Sequence, residues 1–424
     1  MTALKLNAAY ESKNITFKKA FAIVFLPFAL AFILSCLFRT MNAVLMPTLL
    51  QLTKANPSEL GLLNATYFLA YALFQIPLGT LLDNYGAKNV QSCLFVIGGL
   101  GLLLSGITNH IEVIAIGHAL LGIGMSGGLM AAFKMIVQWF PSEKIPMLNG
   151  IMMTFGGAGI LLSATPTDYL VTNLGWQALN IGFSLLAFIV TLIIFFIVPE
   201  SKVATEKSSF SSQLKGISII FKSNYFWTIA LITAGVLPSF MAVHGLWIEN
   251  WLQTVSNAKQ STIDDYLMLM GIAMTVSLLS TGFIARVAHF YQKPLENILA
   301  ALVIVYIVIE LMIISMHGRY EWIWWVLLSL VSQIFNLSYA ALTQHFQKTH
   351  SGRANTALNV VVFTSVFLLQ YLIGLIVTLS NQYLSLASSY KVSFMLPVVV
   401  QIICLGLSWV LRMKLAVKSS INNI

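Results

Sequence analysis

Arg39 lies deep inside an unbroken apolar run, 21–50, too far from either end for its guanidinium to reach water along a helix. A charge at mid-membrane costs about 2.5 to 3.5 kcal/mol on insertion scales, so such a residue is expected to face a wet cavity or a partner. Its planar fork of donors suits a carboxylate or a phosphate. A structural ion pair or a cap on backbone carbonyls is the competing assignment. His118 and His244 occupy other apolar runs, and an imidazole with an unperturbed pKa of about 6.5 can exchange a proton near neutral pH. A histidine hydrogen-bonded between helices is the alternative for each. Glu249, close to His244, Trp247 and Asn250, is another proton-coupling candidate, though near enough to the outer end of its run to be solvated. Glu310, also within an apolar run, is compatible with a protonated, a paired or a proton-carrying carboxyl.

Polar residues also recur at helical spacing. At about 100° per residue Asn64, Tyr67, Tyr71 and Gln75 fall on one stripe, Asn355, Asn359 and Gln370 on another, and Gln333, Asn336 and Tyr339 less regularly on a third. Lipid does not favour such stripes, so they either line a solute path or hydrogen-bond between helices. With Arg39 and Asn42 they describe a polar cavity in which Tyr67, Tyr71, Gln75, His118, His244, Trp247, Gln333, Asn336 and Asn359 are candidate substrate-binding residues. No spacing resembles a metal site or a catalytic constellation, so no enzyme, metal or cofactor is expected. Cys36, Cys93 and Cys404 all fall in apolar segments and read as small fillers.

The elements that must position these groups follow from composition. With 58% hydrophobic and 9% charged residues, and a mean hydropathy of +0.85, the chain cannot be an ordinary soluble domain. Its apolar blocks, roughly 20 to 30 residues long, suit helices crossing about 30 Å of hydrocarbon. A β-barrel would show short alternating strands instead. The runs predict helices near 21–50, 60–82, 90–108, 111–139, 147–168 and 177–198, then 225–252, 262–285, 294–316, 322–345, 355–379 and 392–415. Lys5, Lys13, Lys18 and Lys19 precede the first run without a convincing cleavage site, which reads as a cytoplasmic tail, 1–20.

Of the 23 Lys and Arg residues, only Lys54, Lys259, Arg319 and Lys391 then fall in outer loops, and Arg39 and Lys134 within helices, with Arg412 and Lys414 at the inner end of the last helix counted as inner; Lys134, near an inner end, reads as an anchor that snorkels. The remainder mark the inner side, with both termini cytoplasmic, and the net charge of +9 therefore reports topology rather than nucleic-acid binding. The polar loop 199–223, with Lys202, Lys207, Lys215 and Lys222, separates an amino-terminal six-helix bundle, 21–198, from a carboxy-terminal one, 224–415, followed by a tail, 416–424. A faint repeat, Lys144 to Asn149 (KIPMLN) against Arg353 to Asn359 (RANTALN), occupies corresponding places in the two halves.

At the inner end of the second helix stands Gly79-Thr-Leu-Leu-Asp83-Asn-Tyr-Gly86-Ala-Lys88. Gly79 permits close packing and Gly86 a tight turn, Asp83 can pair with a basic group on a neighbouring helix, and Lys88 anchors the inner side. The alternative is that Asp83 and Gly86 simply end a helix. This stretch resembles the signature G-x-L-x-D-x-x-G-x-[RK] of the major facilitator superfamily (MFS), and with twelve helices and a long central loop the resemblance covers the whole chain. It implies an all-α integral membrane protein of two pseudo-symmetric six-helix bundles, with Gly79, Asp83, Gly86 and Lys88 as a conformational gate. The second copy, Gly282 to Tyr291, keeps the glycine but has Arg286 and His289 where Asp83 and Gly86 stand in the first.

Arg39-Thr-Met-Asn42 followed by Met46-Pro47 resembles helix one of facilitators for organic anions, the organophosphate antiporters and anion:cation symporters, in which such an arginine lines the cavity. By that resemblance Arg39 is the leading contact for an anionic substrate. Met241 stands where the organophosphate antiporters have a further arginine, which favours a carboxylate over a phosphate ester. His118, followed by Gly122 and Gly124, replaces an arginine common at that place. Gly150, Gly156, Gly157 and Gly159, with Pro166, allow close packing in helix five without the antiporter motif of the superfamily, which points toward symport.

The resemblance thus implies a secondary active transporter of a small organic anion, proton-coupled and monomeric, in a bacterial cytoplasmic (inner) membrane. Its partners are a small-molecule substrate, protons and the lipid bilayer, with no nucleic acid. A zwitterionic or neutral metabolite, such as an amino acid or nucleoside, is the alternative substrate; a transporter-like solute sensor is the alternative of another class.

Overall fold

The computed structural model describes residues 16–141, 144–200, 210–292, 294–316, 320–346 and 348–422. The tail lysines Lys5 and Lys13, loop residues Lys202 and Lys207, and the topology markers Lys293 and Arg319 lie outside the described residues, as does the end of the carboxy-terminal tail, 423–424.

Among the described residues the secondary structure is helical throughout. Helix α1 runs Phe17–Thr40 and resumes as Asn42–Thr53 after a turn at Met41. The 50-residue stretch Pro57–Gly106 is two helices, α2 and α3, folded back at Gly86, whose φ of 80° and ψ of 160° only glycine adopts without strain. Helix α4 is Ile111–Trp139, α5 is Ile145–Leu162 and α6 is Thr165–Ile197, the last bent at Gly175 (φ 79°) so that 165–174 extends α5. The loop helix Phe210–Phe221 follows. Then come α7 (Asn224–Thr254), α8 (Gln260–Phe290), α9 (Leu295–Ser315), α10 (Glu321–His345), α11 (Lys348–Ser380) and α12 (Leu386–Asn422). Ten helices among the described residues are long and apolar enough to cross a bilayer. The folded pair α2 and α3 supplies one crossing more than its single count, and the shorter Met147–Leu162 another, which makes twelve.

Two interruptions have side-chain partners built for them. Helix α4 breaks at Ser126–Gly127, which frees carbonyls of the preceding turn. Ser35 Oγ donates to the Met125 carbonyl at 2.9 Å and Gln75 Nε2 to the Ser126 carbonyl at 3.0 Å. Without water in the bilayer core a freed carbonyl must find such a donor. Helix α10 breaks at Phe335–Asn336, and there Asn336 Nδ2 donates to the Gln333 carbonyl at 2.9 Å.

Contacts divide the chain into two compact units, Met1–Thr53 with Thr66–Gln213, and Lys54–Ala65 with Leu214–Ile424. In the first, glycines bring backbones together: a Cβ on Gly159 of α5 would collide with the Ile33 carbonyl of α1, and one on Gly124 of α4 with the backbone of Gly98 in α3. In the second, α7 is the hub, 83% buried along its apolar window against 28% for α12. The segment 54–65 packs on α7 and α11, where a Cβ on Gly61 would stand 2.7 Å from the Gln370 carbonyl and 3.1 Å from the Trp247 ring. Large apolar side chains such as Phe196, Ile304 and Trp409 are exposed, as a lipid solvent permits.

Candidate functional site

Arg39 sits in the last turn of the first α1 segment, one residue before Thr40, where the helix pauses. Thr40 Oγ1 bonds the Cys36 carbonyl at 2.9 Å and Ser163 Oγ at 2.7 Å, which fixes this turn against the end of α5. The guanidinium reaches Cys36 Sγ, with Nη2 at 3.6 Å, and stands close enough to Tyr67 and Tyr71 of α2 to act on both electrostatically. The two tyrosine rings lie 6.1 Å apart at 33°. Tyr67 is completely buried, and among the described residues its hydroxyl has no partner. The first unit therefore contains a cation beside two phenols, one with an unsatisfied hydroxyl. Asn42, one turn beyond Arg39, is buried too.

His118 is buried in α4, and its Nδ1 meets the Ile114 carbonyl of its own helix at 3.0 Å, which directs Nε2 away from the helix axis. Gly122, one turn on, presses against the Tyr67 carbonyl so closely that a Cβ would collide with it. Thus α4 and α2 touch at the residue that faces Arg39. Gln75 is spent on the Ser126 carbonyl, so its amide serves helix packing through at least one hydrogen bond.

The motif at the end of α2 is assembled around an ion pair. Asp83 meets Lys134 of α4 at 2.5 Å, with the lysine the more buried member. Lys134, read above as an anchor, is thus the neighbouring basic group that Asp83 was expected to find. Gly79 lies one turn before Asp83 in α2, Gly86 supplies the bend, and Lys88 lies over the Phe195 ring at 5.4 Å. Replacing Asp83 with asparagine takes the counter-charge from a part-buried ammonium. The expected result is a folded protein whose turnover falls by about tenfold or more while substrate affinity stays within about threefold; transport rates set against ligand-binding curves check it.

In the second unit α7 carries a π-helical turn, Val243–Trp247, of the kind frequent at functional sites. His244 stacks on Phe240 with ring centres 5.1 Å apart. Among the described residues, His244 Nε2, Trp247 Nε1 and both amide atoms of Gln370 are buried without partners. Gln370 approaches this turn at Gly245, where a Cβ would stand 3.8 Å from its Nε2. The other candidates pair among themselves: Gln333 with Asn336, and Asn359 Oδ1 with the Tyr339 hydroxyl at 2.6 Å. Glu249 is not solvated: it is 1% exposed and accepts from Gln260 at 2.8 Å and Gln253 at 3.3 Å. Glu310 is buried as well, and accepts from Gln401 of α12 at 2.8 Å.

Sequence reading passed over Glu321. Its Oε1 accepts from Ser256 at 2.8 Å and from the indoles of Trp251 and Trp325 at 3.2 Å each, tying the carboxy-terminal end of α7 to the amino-terminal end of α10. Only the i, i+4 spacing of Glu321 and Trp325 was visible beforehand. Glu321→Leu strands two buried indole donors, and we expect it to destabilise the protein by about 2 to 4 kcal/mol, read as a lowered thermal midpoint in detergent.

Spanning helices among the described residues, with polar groups gathered in the interior of each unit, define a multi-pass integral membrane protein. The chain belongs to the Major Facilitator Superfamily, whose profile matches residues 28–369. Among curated relatives it is 27% identical over 136 residues to a probable sulfoacetate transporter, SauU, of Cupriavidus necator, covering 30% of this chain and 32% of that one. It is 26% identical over 209 residues to a probable nitrate transporter, NarT, of Staphylococcus haemolyticus, covering 49% and 52%. The chain thus spans about a third to a half of the length of these relatives. Among solved structures, a bacterial homologue of the human lysosomal transporter Spinster superposes with a TM-score of 0.75 at 14% identity, over 93% of this chain and 98% of that one. The nucleoside transporter NupG gives 0.70 at 13% identity, over 91% and 98%. At such identities these structures establish the shared fold.

Proposed function

We propose that this protein is a proton-coupled secondary active transporter of a small organic anion, with a carboxylate favoured, working by alternating access in a bacterial cytoplasmic membrane with both termini inside. The observation that carries the reading is Arg39, a part-buried guanidinium within the membrane beside Tyr67 and Tyr71. A bidentate carboxylate on Arg39 with a phenol as an additional donor satisfies both partners. The substrates named for the two curated relatives, sulfoacetate and nitrate, are anions, which supports the sign of the charge. His118, His244, Glu249 and Glu310 remain the groups from which a coupling proton is drawn. The gate at Asp83 and Lys134 holds one arrangement at the inner face and is released when substrate and proton are bound.

Purified protein in proteoliposomes tests this directly. Carboxylates in a metabolite panel are expected to raise the thermal midpoint, since a ligand at 100 times its Kd adds about 2.7 kcal/mol to the folded state. Uptake of the stabilising anion is expected to rise with an inward proton gradient. Stabilisation by uncharged nucleosides or by amino acids alone sinks the anion assignment, and uptake indifferent to the gradient sinks the coupling.

A further inference from the structure

We infer that Glu310, Gln401 and Tyr306 form a proton-binding site inside the second unit, in which one proton decides how three side chains are bonded. Glu310 of α9 and Gln401 of α12 are both buried, at 6% and 0% exposure, and Gln401 Nε2 donates to Glu310 Oε2 at 2.8 Å. Among the described residues Gln401 Oε1 has no partner, and neither does the hydroxyl of Tyr306, one helical turn before Glu310. A primary amide and a neutral carboxylic acid make a cyclic pair: the amide N–H donates to the acid carbonyl while the acid O–H donates to the amide oxygen. The first of those bonds is present, and the second requires only a proton on Glu310. That proton satisfies the orphaned Gln401 oxygen.

Loss of the proton leaves a buried carboxylate with the Gln401 donor, and the Tyr306 hydroxyl, one helical turn away on the same face of α9 and without a partner among the described residues, is the donor proposed to turn to it. Each protonation state thus has its own set of hydrogen bonds, built from the same three residues. The proton balance is simple: one proton is taken up by a carboxylate oxygen and given back, with no covalent change in the protein.

Of the other titratable groups on the helices packed against α9, His244 of α7 stacks on Phe240 and keeps a buried Nε2 without a partner among the described residues, Glu249 of α7 accepts from Gln253 and Gln260, and the rest are engaged elsewhere. Glu321 of α10 holds Trp251, Trp325 and Ser256, and Tyr339 of α10 bonds Asn359. His345 of α10 stacks on Tyr225 of α7 with ring centres 3.6 Å apart. On α12, Tyr390 lies against Trp247, Cys404 against Gly235, and Arg412 against Asn297 and the Glu296 carbonyl; Lys391 is near the outer end of the helix. The surroundings of Glu310 are otherwise apolar: Ile313, Trp325, Leu328, Phe394 and Pro397 line a small pocket beside it, together with Val243. Val243 opens the π-turn that carries His244 and Trp247. Gly235 of α7 lies against Gln401, where a Cβ would stand 3.4 Å from its Cα, so α7 touches the site at two levels. A change in how Gln401 is bonded is therefore felt directly by the hub helix. That role in coupling rests on the proton-coupled reading above; the existence of the proton site does not.

The test uses the hydrophobic carbodiimide dicyclohexylcarbodiimide, which adds to a neutral carboxyl and rearranges to a stable N-acylurea that peptide mass spectrometry locates. In the reconstituted full-length protein, labelling of Glu310 is expected to fall by about fivefold or more between about pH 6 and pH 9, relative to a fatty acid in the same bilayer as internal standard. Gln401→Leu, run in parallel, is expected to move the pH of half-labelling. Glu310 left unlabelled at every pH, labelling that tracks the standard at all pH values, or a Gln401→Leu profile that superposes on the wild type overturns the site. Glu310→Gln, which keeps shape and hydrogen bonding, tests coupling separately. Substrate-driven proton movement is expected to be lost in this variant while substrate binding persists. Full proton movement in Glu310→Gln, with wild-type labelling as expected, removes Glu310 from coupling and leaves the proton site standing.

Discussion

Arg39→Ala is expected to weaken anion binding by about 100-fold or more, because two charge-assisted hydrogen bonds, each worth about 1.5 to 3 kcal/mol, disappear together. Arg39→Lys keeps the charge and loses the planar fork, so an intermediate loss of about tenfold is expected. Tyr67→Phe removes the single buried hydroxyl and should cost less again. Isothermal titration or ligand-induced thermal shift on the three purified variants gives the order. An Arg39→Ala protein with full anion affinity removes Arg39 from the site, and the electrostatic contact with Tyr67 and Tyr71 then reads as structural.

The second large effect concerns Gly122. A Cβ there collides with the Tyr67 carbonyl, which is backbone and cannot swing aside. Gly122→Val therefore has to part α4 from α2, a distortion of about 3 kcal/mol or more, and the same displacement moves Tyr67 relative to Arg39. Expected together are a lowered thermal midpoint, poor monodispersity in detergent and, in whatever protein folds, weakened substrate binding. Gly150→Ala is the control. Nothing lies within 4 Å of a Cβ at Gly150, and alanine is the better helix former by about 1 kcal/mol, so stability should hold or rise. A Gly122→Val protein as stable as Gly150→Ala would show that the helices yield at no cost.

These expectations also mark how far the residues spoke for themselves. Spanning helices were legible because hydrophobic length in lipid leaves few alternatives. Gly86 was legible because its turn needs a positive φ, and Arg39 because a charge in an apolar run demands a reason. Partners were harder to read. Asp83 called for a cation, yet nothing local identified Lys134, which lies on another helix. Glu310 was visible as an anomaly, but Gln401, its partner, stands 91 residues away in the chain. Glu321 has no local mark of its role, because only folding brings Trp251 and Ser256 to it. Gln75 shows another limit. Its place on a polar stripe is genuine, and one of its amide donors goes to the break in α4. Helical periodicity finds which face a polar residue shares and is silent on whether that face meets solute or another backbone.

The π-turn of α7 sets the phase of everything beyond it. A π-turn holds one more residue than the α-helical turn it replaces, so the segment from Ile248 onward is rotated by about 100° relative to an uninterrupted helix. Glu249 reaches Gln260, and Trp251 reaches Glu321 and stacks on Phe394 at 4.3 Å, only in that rotated setting. Deleting a single residue between Val243 and Trp247 would restore a regular helix and turn those side chains away from their partners. The carboxy-terminal end of the hub helix is therefore keyed like a lock to one inserted residue, and straightening the helix is the change its neighbours are least able to accept.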